Sequence, residues 1–263
     1  MAPDGAPHLR WGVASDCGPH RKANEDALLA EPPVFIVADG MGGHAAGDVA
    51  SWTAVAAFAE LAQRRTVSVS DAVLAVNLAN ESILQVASAN SAMTGMGTTV
   101  AGLALVDVGG TCHWFVFNVG DSRVYRLTET GFIQVTVDHS EFEEMVDAIQ
   151  AGAPQPATAV NRNIITKSLG MTPGPSPDSW IFPMQPNERF LLCSDGLNRE
   201  LADWEIQDCL TLTSDPVVAA QELVSRALAA GGHDNVTVIV VDSRASVEAA
   251  LSGETLPRGI RHG

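Results

Sequence analysis

One stretch constrains the fold more than any other: an apolar run at residues 34–38 (VFIVA) that ends abruptly at Asp39-Gly40. Its length, its β-branched residues and its lack of alternation predict a strand that is buried on both faces. An isolated Asp-Gly pair is often only a hairpin turn, but the segment that follows is rich in glycine and alanine and does not read as a second strand. The run therefore predicts a core strand that delivers Asp39 to the rim of the core, where glycines allow a close approach of the backbone.

Three further aspartates occupy comparable positions. They are Asp195, which follows the apolar run 189–194; Asp234, which precedes the run 236–241; and Asp121, which follows Gly120 between two predicted strands. Asp121 taken alone reads as a turn residue. Like charges that meet at the rim of one domain are unstable unless one is protonated or a cation lies between them. The pattern indicates a metal site, and oxygen ligands without a histidine or cysteine cluster favour Mg²⁺ or Mn²⁺ over zinc.

A polar loop at residues 15–27 carries Arg21, Glu25 and Asp26 close together. Two interpretations stay open for it. The loop is either a solvated segment with a local ion pair, or it places an anion-binding guanidinium beside cation-binding carboxylates. Arginine suits phosphate because its planar fork donates two parallel hydrogen bonds.

Charge and composition limit the partners. The net charge of −16 disfavours nucleic acid and anionic lipid as partners. No segment has the roughly 18 continuous apolar residues of a membrane span, and residues 1–10 lack the apolar core of a signal peptide. We therefore expect a cytoplasmic protein that binds neither nucleic acid nor membrane. The four cysteines lie far apart, which predicts reduced thiols.

The order of elements predicts a layered α+β fold. Helical spacing covers residues 48–64, 70–90, 201–212 and 215–230, and strands precede, separate and follow these two helix pairs. We expect Ser70 or Asp71 to cap the second helix, and Ser214 or Asp215 to cap the last one, with Pro216 in its first turn. Hairpin-length connections imply mostly antiparallel pairing, so we expect a β-sandwich with helices on its outer faces. Residues 138–163 read as an excursion from the core, with a helix from 141 to about 150. Residues 164–169 read as a strand, and residues 243–263 as a partly disordered tail.

The carboxylates and the arginine together suggest a reaction. Two divalent ions a few ångströms apart bridge a water and lower its pKa, and the resulting hydroxide attacks an electrophile. Arg21 is the natural donor to hold that electrophile, and a phosphate monoester is the natural match.

Seven short motifs carry a resemblance to a known family. In order they are SD (15–16) with Arg21 and NED (24–26), VADGMGGH (37–44), GTT (97–99), VGDSR (119–123), DHS (138–140), SDGL (194–197) and HDNVT (233–237). Each is weak alone, but the ordered set resembles the metal-dependent serine/threonine protein phosphatases of type 2C in their compact bacterial form. The resemblance covers about residues 9–242.

The resemblance implies a single domain over residues 1–242 with a four-layer α-β-β-α sandwich, whose two mostly antiparallel sheets are flanked by pairs of antiparallel helices. It implies two Mn²⁺ or Mg²⁺ ions, with a third, weaker site, and hydrolysis of phosphoserine and phosphothreonine in proteins by a metal-bridging hydroxide. By this resemblance, Asp39 bridges the two ions, the Gly40 carbonyl binds one of them, and Asp195 and Asp234 bind the other. Glu25 acts through a metal-bound water, with Asp26 close by, and Asp121 joins Asp195 at the third site. Arg21 holds the phosphate, and Asn235 orients a metal-bound water.

Two departures from the family pattern matter. In eukaryotic members a histidine follows the Asp-Gly pair and is thought to protonate the leaving alkoxide, whereas Met41 stands there in this chain. An alkoxide is a poor leaving group, so an acid should assist it. Water on a metal and His44 both stay open for this role, unless His44 only fixes the glycine-rich turn. In the segment 138–163 the usual His-Pro pair is replaced by Ala159-Val160, and we expect this segment to set substrate selectivity.

The expected partners are phosphorylated proteins, substrates of a cognate serine/threonine kinase, and we expect a monomer. Two alternatives stay open. A catalytically silent relative would bind phosphoproteins only, although Asp39, Asp195 and Asp234 are all present here. A phosphatase acting on a small phosphate ester would use the same residues.

Overall fold

The computed structural model describes residues 8–42, 46–64, 67–153 and 164–244. The strands within these residues are β1 (His8–Asp16), β2 (Asp26–Glu31), β3 (Val34–Met41), β4 (Gly97–Thr98), β5 (Val100–Val108), β6 (Thr111–Val119), β7 (Arg123–Thr128), β8 (Gly131–Gln134), β9 (Asp178–Pro183), β10 (Arg189–Cys193) and β11 (Val236–Arg244). The helices are α1 (Gly47–Ala62), α2 (Val69–Ala89), α3 (Glu141–Gln150), α4 (Asp195–Asn198), α5 (Asp203–Leu212) and α6 (Pro216–Ala230), with a 3₁₀ turn at Ser91–Met93.

The strands form two antiparallel sheets. The first sheet has the order β1-β11-β10-β7-β8, and the second has the order β2-β3-β5-β6-β9, with β4 paired to β3. Helices α1 and α2 pack together against the second sheet, and α5 and α6 pack together on the first. The predicted α-β-β-α sandwich is therefore confirmed.

Three apolar clusters separate the four layers. One lies between α1, α2 and the second sheet, one lies between the two sheets, and one lies between the first sheet and α5 with α6. Strand β3 shows why its sequence is apolar throughout. Phe35 and Val37 face the other sheet, whereas Val34, Ile36 and Ala38 face the helices. Side chains alternate along a strand, so a strand covered on both faces needs apolar residues at every position, as predicted.

Local signals set the helix ends. Ser68 caps α2 through a capping box with Asp71, whose carboxylate accepts from the Ser68 N–H. The prediction that Ser70 or Asp71 caps this helix was therefore wrong, because the serine three residues before Asp71 completes the box. Asp215 caps α6 ahead of Pro216, as predicted.

Two other boundaries differ from the sequence prediction. Residues 164–169 form no regular strand; they make only isolated bridges, Ile165 with Ser140 and Leu169 with Thr98. Strand β11 continues to Arg244, two residues beyond the predicted domain end at 242. Ser243 belongs to the folded domain because its hydroxyl donates to the Gln185 carbonyl at 2.9 Å. The rest of the predicted tail and residues 154–163 of the predicted excursion lie outside the described residues.

Helix α2 is the one helix in the described part of the chain that is long and apolar enough to cross a membrane. Its inner face instead belongs to the core between the helices and the second sheet, through Ala72, Val76 and Ile83. Asn80 on the same helix accepts from the Gly170 N–H at 2.7 Å. These contacts fit a helix that packs within a folded domain. Such a core helix can have the length and the apolar composition of a membrane-spanning helix.

A buried ion pair of the first sheet contacts side chains of the second sheet. Arg126 on β7 donates through Nε to Glu188 at 2.9 Å, and its guanidinium lies 4.7 Å from the centre of the Phe182 ring. The other carboxylate oxygen of Glu188 accepts from the Trp114 indole at 3.1 Å. The Glu188 side chain is 1% exposed, so its charge depends on the arginine for neutralisation.

We predict that Arg126→Met lowers the free energy of unfolding by about 3–5 kcal/mol, because it leaves a buried carboxylate uncompensated. The double variant Arg126→Met/Glu188→Gln should recover part of this loss, since a neutral amide can still accept from Trp114. Urea unfolding of the wild type, both single variants and the double variant measures the coupling. Losses that simply add would contradict the pairing.

Candidate metal centre

The first sheet brings three of the predicted aspartates to one edge. Asp195 lies two residues after the end of β10, whereas Asp234 and Asp121 lie two residues before the starts of β11 and β7. Strands β11 and β7 are the two antiparallel neighbours of β10. The end of β10 and the starts of its neighbours therefore share one edge, which explains why residues so distant in sequence meet.

The second sheet contributes to the same place. Asp39 near the end of β3 lies directly opposite Asp26 at the start of β2. The connection from β6 to β7 crosses between the sheets here and carries Asp121. The hydroxyls of Thr99 and Ser122 lie 2.7 Å apart across this junction. The predicted carboxylates from both sheets are thus brought together.

Backbone contacts fix the Asp39-Gly40 corner. The Thr99 hydroxyl accepts from the Asp39 N–H at 2.9 Å, and the Thr98 hydroxyl donates to the Asp39 carbonyl at 2.8 Å. A Cβ at Gly40 would lie 2.1 Å from the carbonyl oxygen of Gly47. Glycine is required at position 40 because α1 begins against this corner.

Asn235 holds the loop that carries Arg21 and Glu25. Its side-chain oxygen accepts from the Glu25 N–H at 2.8 Å, and its amide donates to the carbonyls of Cys17 and Ala23 at 2.8 and 3.0 Å. Both donor hydrogens are therefore used by the backbone of this loop. The structure shows Asn235 as a positioning residue; the predicted role in orienting a water stays a prediction.

Two arginines lie among the carboxylates. Arg21 donates to Asp234 at 2.7 Å and is half-exposed. Arg199 donates to Asp234 at 3.0 Å and pairs closely with Asp195. The open question on the loop at 15–27 is answered in part: Arg21 is paired not with its sequence neighbours but with Asp234, which lies just before β11.

Burial and mutual repulsion shift the carboxyl pKa values upward. Burial raises the pKa of Asp39 well above its usual value, and the charges of Asp26 and Asp195 add to the rise. Burial raises the pKa of Asp195 to about 8, with Asp121 as the largest repelling charge. Burial raises the pKa of Asp26 to about 6 against the hydrogen bond that Ser194 donates to it at 2.8 Å. These groups thus lie close enough to feel one another's charge.

The donor set fits hard divalent cations. Among the described residues, one oxygen each of Asp26, Asp121 and Asp195 is buried without a hydrogen-bond partner. A buried carboxylate oxygen without a partner is costly, and Mg²⁺ and Mn²⁺ take oxygen ligands with water completing the shell. In the described chain no three carboxylates already surround a single point as a ligand set.

The sequence analysis gave no role to three functional neighbours, although Thr99 and Ser194 lie within its motifs GTT and SDGL. Thr99 fixes Asp39, Ser194 donates to Asp26, and Arg199 contacts the aspartates. Arg199 had a signal, since it follows Asp195 by four residues, but the predicted strand ended at Ser194 and no helix was predicted to begin at Asp195, where α4 starts. His44 lies outside the described residues, so its proposed role stays a prediction.

Comparisons with known proteins agree with one another. The family described as Protein phosphatase 2C matches residues 21–233. The serine/threonine phosphatase Stp of Listeria welshimeri is 32% identical over 216 residues, which cover 80% of this chain and 84% of that protein. The crystal structure of the Mycobacterium tuberculosis serine/threonine phosphatase PstP/Ppp has a TM-score of 0.80 at 32% identity and covers 90% of this chain and 99% of its own. The catalytic domain of PstP in complex with two manganese ions has a TM-score of 0.81 at 31% identity, over 91% of this chain and 100% of its own.

The raised pKa values predict how stability depends on pH when a chelator removes divalent cations. In the folded protein the pKa of Asp195 is about 8 and that of Asp26 about 6, against an ordinary value of 3.8. From about pH 4 to about pH 8 the folded state therefore holds more protons than the unfolded chain, so the free energy of unfolding falls as the pH rises.

Urea unfolding in EDTA across this range measures the effect. Asp195→Asn should flatten the fall, because it removes a buried group that is forced to ionise within this range, whereas the exposed-site control Glu129→Gln should follow the wild type. A free energy of unfolding that rises over the same range would contradict the prediction.

Proposed function

This chain belongs to the protein phosphatase 2C family, and we propose that it removes phosphate from phosphoserine and phosphothreonine in proteins at the carboxylate cluster between its sheets. Family membership makes it a metal-dependent serine/threonine protein phosphatase. The observation that carries the assignment to this cluster is the set of buried, unpartnered oxygens of Asp26, Asp121 and Asp195 beside the half-exposed Arg21.

We assign two divalent ions to this cluster. Asp39 would contact both ions, since its charge couples to carboxylates from both sheets. The Gly40 carbonyl would hold one ion, with Glu25 acting through water, and Asp195 with Asp234 would hold the other. The ions, when bound, supply Lewis acidity that lowers the pKa of a water and neutralises charge on the phosphoryl oxygens.

The residues of this chain bind and orient the ester. Arg21 reaches into the cluster from a loop that Asn235 pins at three backbone positions. Its guanidinium already donates to an oxyanion, the carboxylate of Asp234, and can offer the same donors to phosphate. Met41 cannot donate a proton, so the leaving alkoxide must take its proton from another group, and His44 stays a candidate.

Metal identity and partners follow as proposals. We assign Mn²⁺ as the more effective ion, supported by the two manganese ions of the PstP catalytic domain, with Mg²⁺ as the alternative.

The substrates would be phosphoproteins made by a cognate serine/threonine kinase. We further propose that the enzyme acts in the cytoplasm as a monomer, and that residues 138–163 select among substrates; the acidic first turn of α3, with Glu141, Glu143 and Glu144, belongs to that segment.

Asp39→Asn should lower the rate of aryl-phosphate hydrolysis by about a thousandfold, because several kcal/mol of transition-state stabilisation depend on the two ions. EDTA should do the same to the wild type, and excess Mn²⁺ should restore only the wild type. The exposed-site control Asp107→Asn should keep full activity. Turnover that resists the chelator would overturn the metal-dependent mechanism.

Arg21→Ala should raise KM more than it lowers kcat, with a loss in kcat/KM on the order of ten- to a hundredfold, because a charge-assisted contact to ground-state phosphate is removed. Steady-state kinetics on a phosphopeptide measure the split. Arg64→Ala is a matched control, since Arg64 is 47% exposed against 49% for Arg21 and also pairs with one aspartate. A fall confined to kcat would show that Arg21 acts only in the transition state.

A further inference from the structure

Arg199 contacts more of the cluster than Arg21 does. Its guanidinium pairs closely with Asp195, donates to Asp234 at 3.0 Å and lies 4.0 Å from Asp121. Within the described residues, Arg21 forms an ion pair with Asp234 alone, at 2.7 Å. Arg199 therefore stands where the carboxylates of three strand ends of the first sheet meet.

The backbone holds Arg199 in this place. Helix α4 begins at Asp195, and the Arg199 N–H donates to the Asp195 carbonyl at 2.9 Å, which closes one helical turn. Residues four apart on a helix face one another, so the guanidinium returns to the Asp195 carboxylate. The Arg199 side chain is 34% exposed, so most of its surface is covered by neighbouring residues.

The position between Asp121 and Asp195 demands a cation. Each residue is more than nine-tenths buried, and each has one carboxylate oxygen without a hydrogen-bond partner. Two buried like charges this close are unstable unless one is protonated or a cation compensates them. The resemblance to the family assigns a third, weaker metal ion to this pair, whereas the structure brings a guanidinium to it.

The formal charges agree with two ions rather than three. The six carboxylates predicted around the metals are Glu25, Asp26, Asp39, Asp121, Asp195 and Asp234. Against Arg21 and Arg199 they leave a net formal charge of −4, which is equal and opposite to the charge of two divalent ions. A third divalent ion would leave the cluster positive.

We propose that Arg199 is a built-in cation of the centre, which compensates part of the negative charge of Asp121 and Asp195 and keeps a third divalent ion out. This inference rests on the two-ion site proposed above. The positive charge beside Asp121 and Asp195 is then part of the chain itself. It does not depend on the metal concentration around the enzyme.

Equilibrium dialysis against Mn²⁺, with metal measured by atomic emission, tests the proposal. The wild type should bind two ions, whereas Arg199→Ala and Arg199→Met should bind three. Asp121→Asn added to Arg199→Ala should return the number to two, because it removes a ligand of the new site. Asp121→Asn alone should still bind two. Arg226→Ala is the matched control, since Arg226 pairs with Glu222 at the same four-residue spacing on α6, and it should also bind two.

Thermal unfolding in saturating Mn²⁺ confirms that each variant is folded and gives a second readout, a larger Mn²⁺-dependent rise in Tm for Arg199→Ala than for the wild type. An unchanged number of ions in both Arg199 variants, or the loss of an ion in Asp121→Asn alone, would overturn the proposal. The role of Arg199 is tested by the difference of one bound ion between the Arg199 variants and the wild type. The proposed function is tested separately, because it fails if the wild type itself binds no Mn²⁺.

Discussion

Repulsion between buried carboxylates is the constraint on which this structure depends. The sandwich places the ends and starts of strands from two sheets at one edge, and aspartates occupy those positions. Burial and neighbouring charge raise the pKa of Asp39 and Asp195 far from the ordinary range. A fold gains nothing in stability from such a cluster, so its persistence is explained by the cations that it binds and by the reaction that those cations support.

The cluster is held by contacts that do not themselves touch the reacting atoms. Asn235 fixes the loop of Arg21 and Glu25, and the hydroxyls of Thr98 and Thr99 fix the Asp39 backbone. The Asn235 contact joins a loop of the first sheet to a loop of the second, and the threonine contacts tie Asp39 to its own sheet. Arg199 adds a positive charge from within the chain, which distinguishes this centre from one that relies on metal ions for all its compensation.

Much of this could be predicted from the sequence because the signals are local. The unbroken apolar run of β3 reflects burial on both faces, and the hairpin connections give antiparallel pairing. The cap of α2 was misplaced because Ser68, Ser70 and Asp71 are all good caps, and only the reciprocal hydrogen bonds of Ser68 and Asp71 decide among them. Residues 164–169 have strand-like composition, yet they contact their neighbours only through isolated bridges.

The sequence by itself determined which residue types stand at the strand ends, and hence the carboxylate and arginine chemistry of the site, because residue identity and periodicity are properties of the chain. Only the tertiary structure decided which of these charges face one another. Arg21 pairs with Asp234, which is 213 residues away in the sequence. Arg199 contacts three aspartates from the end of a helix that is too short to show helical periodicity in the sequence. Such pairings depend on sheet order and register, since neighbours in an antiparallel sheet are set by packing between layers and not by distance along the chain.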